Sequence, residues 1–271
     1  MAIAVCLALA AALIYLAAVS PSPRCRARAG HLKGIRYAHR GLFDASRGVP
    51  ENSLAAFEAA CQAGYGIELD VQITSDGQLV VFHDDTTGRM CGADGRVWEQ
   101  PLSALGALRL QGTEHAIPTF DEVLSLVAGR VPLLVEVKTS PRWQAATRLT
   151  AERMRAYSSP YVMESFDPRI VRELRGLLPG VARGQLVSQE QPGGRFRQRA
   201  LYFALGRLWL NALSRPDFIA FDAAMDASCT LRVQRALRTP AAVWTVRSQP
   251  LFDHFAARGD AVIFEGFIPR E

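Results

Sequence analysis

Acidic and imidazole side chains recur at short intervals between residues 66 and 84, at a spacing that suits acid–base or cation chemistry. Two apolar runs flank an Asp-Gly pair, which is the pattern of a β-hairpin with a tight turn. Because side chains alternate across a strand, Glu68 and Asp70 project from one face, and the returning strand brings His83 near the level of Glu68. The two predicted strands are residues 67–73 and 79–83.

Comparable side chains stand at the ends of other apolar runs that read as strands. His39 and Arg40 follow one of these runs, and Glu136 and Lys138 close another. The remaining predicted strand ends carry Ser165, Gln185, Asp222, Trp244, Arg247 and Glu265. If the strands run parallel in one sheet, their carboxyl ends meet at one rim, and we expect these side chains to converge there.

Three of the carboxylates, those of Glu68, Asp70 and Glu136, would repel one another and lose hydration if they packed together. A divalent cation removes that conflict, and ligands that are all oxygen suit Mg²⁺ or Ca²⁺ better than zinc. Arg40 and Lys138 add positive charge at the same rim. A cation together with an arginine and a lysine forms a cradle for a phosphate group.

The two histidines next to this acidic set, His39 and His83, fit a general acid and a general base. An imidazole has an unperturbed pKa of about 6.5, so it can give or take a proton near neutrality. The competing interpretation is an exposed polar strand face with ordinary structural histidines. Two strand-end histidines beside three carboxylates favour the catalytic interpretation.

The elements that must position these residues alternate between strand and helix from residue 35 onward. About eight apolar strands alternate with helical patterns, which predicts a parallel sheet buried on both faces and closed into a TIM-type (β/α)8 barrel with an extra hairpin arm. The further predicted strands are residues 35–38, 131–137, 161–165, 181–187, 218–221, 242–246 and 261–265. The predicted helices are residues 53–63, 119–128, 143–157, 168–178, 229–237 and 251–258.

The composition is that of an ordinary globular protein, since 49% of the 271 residues are hydrophobic and 21% are charged. Such a chain is long enough for one large domain. Its five cysteines are an odd number and lack the spacing of metal ligands, so they indicate neither a disulfide framework nor a zinc site. Free thiols fit a reducing compartment.

Residues 1–20 form an apolar stretch that is predicted to be a transmembrane anchor or an uncleaved signal, with a cleaved signal peptide as the alternative. This apolar stretch is followed by a basic linker, residues 21–34, and then by the barrel domain, residues 35–271. Because basic residues stay preferentially on the cytoplasmic side, the linker favours a cytoplasmic catalytic domain. A secreted domain, or one that faces the periplasm, stays open.

An ordered set of short motifs resembles the glycerophosphodiester phosphodiesterase family, whose barrel is similar to that of the phosphatidylinositol phosphodiesterases. The motifs run in order from about residue 36 to residue 246. They are Tyr-Ala-His39-Arg40-Gly41, Pro50-Glu51-Asn52-Ser53, Glu68-Leu-Asp70, Ser75-Asp76-Gly77, Phe82-His83-Asp84, Glu136-Val-Lys138, Ser165-Phe166 and Val243-Trp244-Thr245-Val246.

The resemblance implies a TIM barrel that hydrolyses a glycerophosphodiester, or a lysophospholipid, to an alcohol and sn-glycerol 3-phosphate or its lipid counterpart. It implies Glu68, Asp70 and Glu136 as ligands of a divalent cation, and His39 and His83 as the acid/base pair. The residues that it implies as substrate or phosphate contacts are Arg40, Lys138, Glu51 and Trp244. The nucleophile is water or the adjacent glycerol hydroxyl, and the second choice gives a cyclic phosphate.

The chain departs from the family pattern at two positions near its end. Arg247 stands where the family often has asparagine, and Glu265 follows Phe264 where the last strand usually ends in Thr-Asp. Neither position belongs to the cation or histidine set, so these departures bear on substrate preference. Arg247 is expected either to meet an anionic head group or to point into solvent.

A basic amphipathic segment, residues 195–214, carries Arg195, Arg197, Arg199 and Arg207 and no acidic residue. One interpretation is a barrel helix with a solvated basic face. The other is a surface helix that rests on anionic lipid, which would suit a lysophospholipid substrate. No nucleic-acid partner is expected.

Two alternatives to hydrolysis stay open. One is a phospholipase D-like lyase that releases a cyclic phosphate, and the other is a membrane-anchored binding protein that keeps the fold without catalysis. The complete set of two histidines and three carboxylates argues against the inactive protein.

Overall fold

A closed barrel of eight parallel strands forms the body of the protein. The computed structural model describes residues 1–188 and 196–270, and only the backbone of residues 196–199 and 202. The strands are β1 (Arg36–Ala38), β2 (Gly66–Ile73), β3 (Leu79–Val81), β4 (Leu133–Val137), β5 (Tyr161–Ser165), β6 (Arg183–Val187), β7 (Phe218–Asp222), β8 (Ala241–Val246) and β9 (Ala261–Phe264). Their order is β1-β9-β8-β7-β6-β5-β4-β2, and pairing of β1 with β2 closes the barrel. The predicted TIM-type barrel is confirmed.

The extra strand of the predicted hairpin arm is β3. It pairs antiparallel with the second half of β2, where Val71 lies opposite Val81. Strand β1 pairs with the first half of β2, where Tyr37 lies opposite Gly66. The hairpin therefore extends β2 above the barrel rim and carries the chain back toward the mouth at His83.

The helices surround the barrel and begin close to their predicted positions. They are α1 (Ala2–Val19), α2 (Cys25–Ala29), α3 (Leu54–Ala63), α4 (Gly88–Cys91), α5 (Leu102–Ala107), α6 (Phe120–Val127), α7 (Trp143–Ala156), α8 (Pro168–Leu177), α9 (Phe196–Gly206), α10 (Asn211–Ser214), α11 (Cys229–Ala236) and α12 (Gln249–Ala257). Local capping fixes these limits: Ser53 caps α3, and Thr119 and Glu122 form a capping box on α6.

The lower barrel interior is filled by apolar side chains. Tyr37, Leu134, Val162 and Phe218 form this lower layer. Leu32, from the turn after α2, is also buried there and closes the base of the barrel. A second, larger core lies between the strands and the surrounding helices.

Helix α1 is the one described helix that is long and apolar enough to cross a membrane, and almost all of its surface is exposed. A signal sequence meets the same criterion of length and composition. The last turn of α1 contacts the barrel domain, because the Val19 carbonyl accepts hydrogen bonds from Asn211 Nδ2 at 3.0 Å and Gln234 Nε2 at 2.9 Å. The domain limits at residues 20, 34 and 35 stay predictions.

The basic amphipathic segment is helical where it is described, as α9 and α10. Arg195 lies outside the described residues, as do the side chains of Arg197 and Arg199. Leu201, Phe203 and Trp209 expose large apolar surfaces. The Arg207 guanidinium lies over the Phe203 ring at 4.6 Å from its centroid.

Candidate active site

Three carboxylates meet at the upper rim because of strand register. Glu68 and Asp70 lie on the same face of β2, and Asp70 is the direct partner of Glu136 on β4. All three side chains are buried, and one oxygen from each lies within 4.8 Å of the others. The predicted convergence is therefore present, while the role of these residues as cation ligands stays a prediction.

Two cationic side chains flank the carboxylates. Lys138 Nζ lies 3.1 Å from Glu136 Oε1 and 3.3 Å from Asp70 Oδ1. Arg40 donates its backbone N–H to Glu68 at 3.0 Å, and its Nε lies 3.6 Å from Asp70. Both predicted phosphate contacts thus lie at the acidic set.

The turn that carries Arg40 is held in place by a glycine. Gly41 has φ +83°, and a Cβ added there would come within 2.8 Å of the Ala56 backbone and side chain. Only glycine allows this close approach to α3. The turn thereby presents His39 and Arg40 at the rim rather than above it.

Burial and mutual repulsion perturb the acidic set strongly. Burial, with repulsion from Asp70, raises the pKa of Glu68 well above its usual range. Burial also raises the pKa of Glu136 to about 7, although Lys138 opposes the shift. Burial alone would raise the pKa of Asp70, but Lys138, His83 and Arg40 together lower it. With all three carboxylates ionised, the set would therefore carry more negative charge than Lys138 and Arg40 compensate.

His39 is held by a carboxylate at the end of the last strand. Its Nδ1 shares a short hydrogen bond with Glu265, and its Nε2 lies 3.9 Å from Glu68 Oε2. Burial lowers the pKa of His39, although Glu265 opposes this shift. A neutral ring that donates from Nδ1 to Glu265 leaves Nε2 free to accept a proton.

Arg247 was expected to meet an anionic head group or to point into solvent, and its contact with Glu265 was not expected. Its Nε and one terminal nitrogen each lie 2.7 Å from Glu265 Oε1. Burial alone would raise the pKa of Glu265, but His39 and Arg247 lower it to about 2. The two departures from the family pattern thus form one ion pair, and that pair holds His39.

His83 lies just beyond β3, which pairs with the second half of β2, and it lines the same cavity as His39. Its Nδ1 lies 2.7 Å from Asp84 Oδ1. Burial lowers the pKa of His83, while Asp70 opposes the shift and Lys138 adds to it. Arg89 bonds both Asp84 and Glu51, at 2.6 Å and 2.7 Å.

Glu51 lies next to the site as a structural bridge. It accepts a hydrogen bond from Arg40 at 2.7 Å as well as those from Arg89. Burial would raise the pKa of Glu51, but these two arginines lower it. In the described residues Glu51 therefore contacts the predicted phosphate ligand Arg40, and its contact with substrate stays a prediction.

A cavity of about 1060 Å³ opens above the carboxylates. One side is polar, with both histidines, Arg40 and Lys138. The other side is apolar and is built largely by the amphipathic segment; its lining includes Phe166, Leu186, Leu201, Leu205, Leu210 and Trp244. Trp244 packs edge-on against Phe166 with ring centroids 5.7 Å apart. Its Nε1 is buried and has no partner among the described residues.

Sequence reasoning missed one carboxylate, Glu164 on β5. It is the strand partner of Glu136 and lines the same cavity. The expected strand-end residues Ser165 and Gln185 face elsewhere, since Ser165 Oγ bonds the Val137 carbonyl and Gln185 bonds the carbonyl of Phe166. Asp222 caps the turn after β7. The two-residue period places Glu164 and Ser165 on opposite faces of β5, and the pairing of Glu164 with Glu136 shows that Glu164 is the one that faces the interior.

The donor set fits a hard divalent cation. Four buried carboxylates, those of Glu68, Asp70, Glu136 and Glu164, face two cationic side chains, Lys138 and Arg40. Burial raises the pKa of Glu164 well above its usual range. Carboxylate oxygens without a nitrogen or sulfur donor suit Mg²⁺ or Ca²⁺.

Comparison with known proteins agrees with this architecture. The model of the glycerophosphoryl diester phosphodiesterase family matches residues 39–263. The chain belongs to this family.

The glycerophosphodiester phosphodiesterase of Caldanaerobacter subterraneus is 32% identical over 166 residues, which are 57% of this chain and 67% of that protein. The mouse glycerophosphodiester phosphodiesterase 1 is 31% identical over 150 residues, 51% of this chain and 44% of that protein. These matches thus span 67% and 44% of the length of the two relatives.

Solved structures share the fold of this glycerophosphodiester phosphodiesterase family member. An Oleispira antarctica phosphodiesterase in complex with the product sn-glycerol-3-phosphate has a TM-score of 0.70 at 23% identity, covering 88% of this chain and 94% of that one. The glycerophosphodiester phosphodiesterase of Agrobacterium tumefaciens has a TM-score of 0.64 at 23% identity, covering 85% and 95%.

Proposed function

We propose that the protein hydrolyses a glycerophosphodiester to an alcohol and sn-glycerol 3-phosphate. One observation carries the proposal: three buried carboxylates on two adjacent strands converge beside a cavity that Glu68, Glu136 and both histidines line, in a chain that matches this family over residues 39–263. The proposal assigns Glu68, Asp70 and Glu136 as ligands of a divalent cation, Mg²⁺ or Ca²⁺. When bound, such an ion supplies charge stabilisation to a phosphoryl oxygen.

The protein's own residues then bind and orient the diester. Arg40 and Lys138 face the carboxylates, so each can contact a phosphate oxygen at the rim. One histidine takes the proton of the attacking oxygen as that oxygen bonds to phosphorus. The other protonates the alkoxide as its bond to phosphorus breaks. His39 and His83 suit these tasks because each ring is held through Nδ1, by Glu265 and Asp84.

A lysophospholipid is a second candidate substrate within the same chemistry. The apolar side of the cavity, with Leu201, Leu205 and Trp244, suits an acyl chain better than a small polar alcohol. Exposed Phe203 and Trp209 on the amphipathic segment would rest on lipid beside the anchor α1. The basic residues after α1 favour a catalytic domain on the cytoplasmic side.

A substrate panel tests the proposal. Glycerophosphocholine, glycerophosphoethanolamine, glycerophosphoglycerol and their lyso-lipid counterparts are incubated with the full-length protein, and products are followed by ³¹P NMR. We expect sn-glycerol 3-phosphate or its acylated form, and a higher kcat/KM for lyso-lipids if the apolar side binds the chain. A cyclic phosphate as the final product would identify the lyase instead. No turnover of any diester with Mg²⁺ or Ca²⁺ would favour the inactive binding protein.

Glu265 is expected to act as a positioning residue for His39. Replacing Glu265 with glutamine keeps the size of the side chain but removes the charge that fixes the ring. Loss of the orienting carboxylate in a Ser-His-Asp triad costs about 10⁴-fold in kcat. We expect Glu265→Gln to lower kcat at least tenfold with little change in KM. Glu265→Asp should recover part of the loss, and equal kcat values for all three proteins would contradict the role.

A further inference from the structure

The carboxylate that sequence reasoning missed is built into the same layer as the proposed cation ligands. Asp70 on β2 pairs with Glu136 on β4, and Glu136 pairs with Glu164 on β5. Paired residues on parallel strands point to the same face of a sheet. The three side chains therefore form a row across the interior of the barrel, and all of them are buried.

Glu164 differs from its neighbours because nothing in the described part of the chain satisfies it. The side chain is 1% exposed, it lines the cavity, and its Oε2 accepts no hydrogen bond there. By contrast, Glu136 has Lys138, and Asp70 has both Lys138 and Asn52. A buried carboxylate without a partner costs stability, so a purely structural role does not explain it.

The position of Glu164 defines the kind of partner that it can have. It is not one of the three carboxylates whose oxygens lie within 4.8 Å of one another. It therefore lies beside the proposed ligands rather than among them. A hydrogen-bond donor would satisfy this carboxylate, and a water molecule bound to the cation is such a donor.

We propose that Glu164 is a fourth carboxylate of the divalent cation site, which holds the ion through a bound water molecule. This inference rests on the proposed function, because it requires a cation at Glu68, Asp70 and Glu136. The charge count supports it, since in the described part of the chain four buried carboxylates, when ionised, face two cationic side chains, Lys138 and Arg40. A doubly charged ion balances the two uncompensated negative charges. Removing the Glu164 charge therefore weakens the electrostatic attraction that holds the ion.

Calorimetric titration of Mg²⁺ and Mn²⁺ into the full-length, chelator-treated protein tests this inference without any substrate. Substituting a residue that hydrogen-bonds a metal ligand or a metal-bound water typically weakens metal affinity by about 10–100-fold. We expect Glu164→Gln to weaken affinity by about that factor and Glu164→Asp to weaken it less. Glu152→Gln, on the exposed face of α7, is the control and should leave affinity unchanged.

The variant Glu68→Gln distinguishes a wrong assignment of Glu164 from a wrong assignment of the cation site itself. If Glu68→Gln abolishes binding while Glu164→Gln stays within twofold of wild type, the inference about Glu164 is wrong and the cation site stands. If Glu68→Gln also leaves affinity unchanged, the cation site itself is wrong. If Glu164→Gln raises only KM for glycerophosphocholine, Glu164 contacts substrate and our assignment fails. Circular dichroism of each variant checks its fold, and if Glu164→Gln does not fold, Glu164→Asp decides the outcome by the same criteria.

Discussion

Replacing either His39 or His83 with alanine is expected to lower kcat for glycerophosphocholine by roughly 10²–10⁴-fold, the range that general acid–base catalysis contributes. Each imidazole is oriented by a carboxylate at Nδ1, and each lines the cavity above the acidic set. Neither side chain belongs to the apolar core, so loss of catalysis rather than of folding should dominate. Steady-state kinetics at saturating cation measures the effect.

His254 provides a matched control for these two variants. Like them, it pairs with a carboxylate, since its Nε2 lies 3.0 Å from Asp226 Oδ2. It lies on α12, has a side chain that is 44% exposed and is not among the residues that line the cavity. His254→Ala should therefore retain wild-type kcat and KM. Wild-type kcat in both His39→Ala and His83→Ala would refute the assignment of the acid and the base.

Asp70→Asn is expected to have the second large effect, on cation affinity and on kcat together. Asp70 contacts Lys138, Arg40 and Asn52, and it is the carboxylate of the set that the surrounding cations keep ionised. The variant removes an anionic ligand with almost no change in shape. Because metal-ion catalysis supplies several kcal/mol, a loss on the order of 10³-fold in kcat is expected.

Calorimetry and kinetics on the same preparation test this prediction. Asp121→Asn is the control, because Asp121 is exposed and pairs with Arg153 at the surface. It should leave both quantities unchanged. If Asp70→Asn bound Mg²⁺ as tightly as wild type and turned over substrate at the same rate, Asp70 would not be a ligand.

The sequence predicted those parts of the fold that local interactions determine. The start and end of α3 follow from the Ser53 cap and from Gly64, which adopts a left-handed conformation. The shared face of Glu68 and Asp70 follows from strand periodicity alone. The eight alternating units then required a closed parallel barrel, which brings strand ends to one rim.

The parts that depend on register could not be predicted in this way. Strand β5 is buried on nearly its whole length, so apolar residues alone did not reveal that Glu164, rather than Ser165, faces inward. The pairing of Arg247 with Glu265 depends on a shift of register between β8 and β9, near Val243 and Val246. No single-strand pattern encodes such a shift.

The central claim is that catalysis at the three carboxylates requires a divalent cation. Its most direct test is turnover of glycerophosphocholine by chelator-stripped protein, with Mg²⁺ or Ca²⁺ then added back stepwise. Our account predicts no turnover in EDTA and recovery that saturates at the dissociation constant measured by calorimetry, with one ion bound per chain. Full turnover in EDTA, by protein that elemental analysis shows to be free of divalent metal, would contradict it.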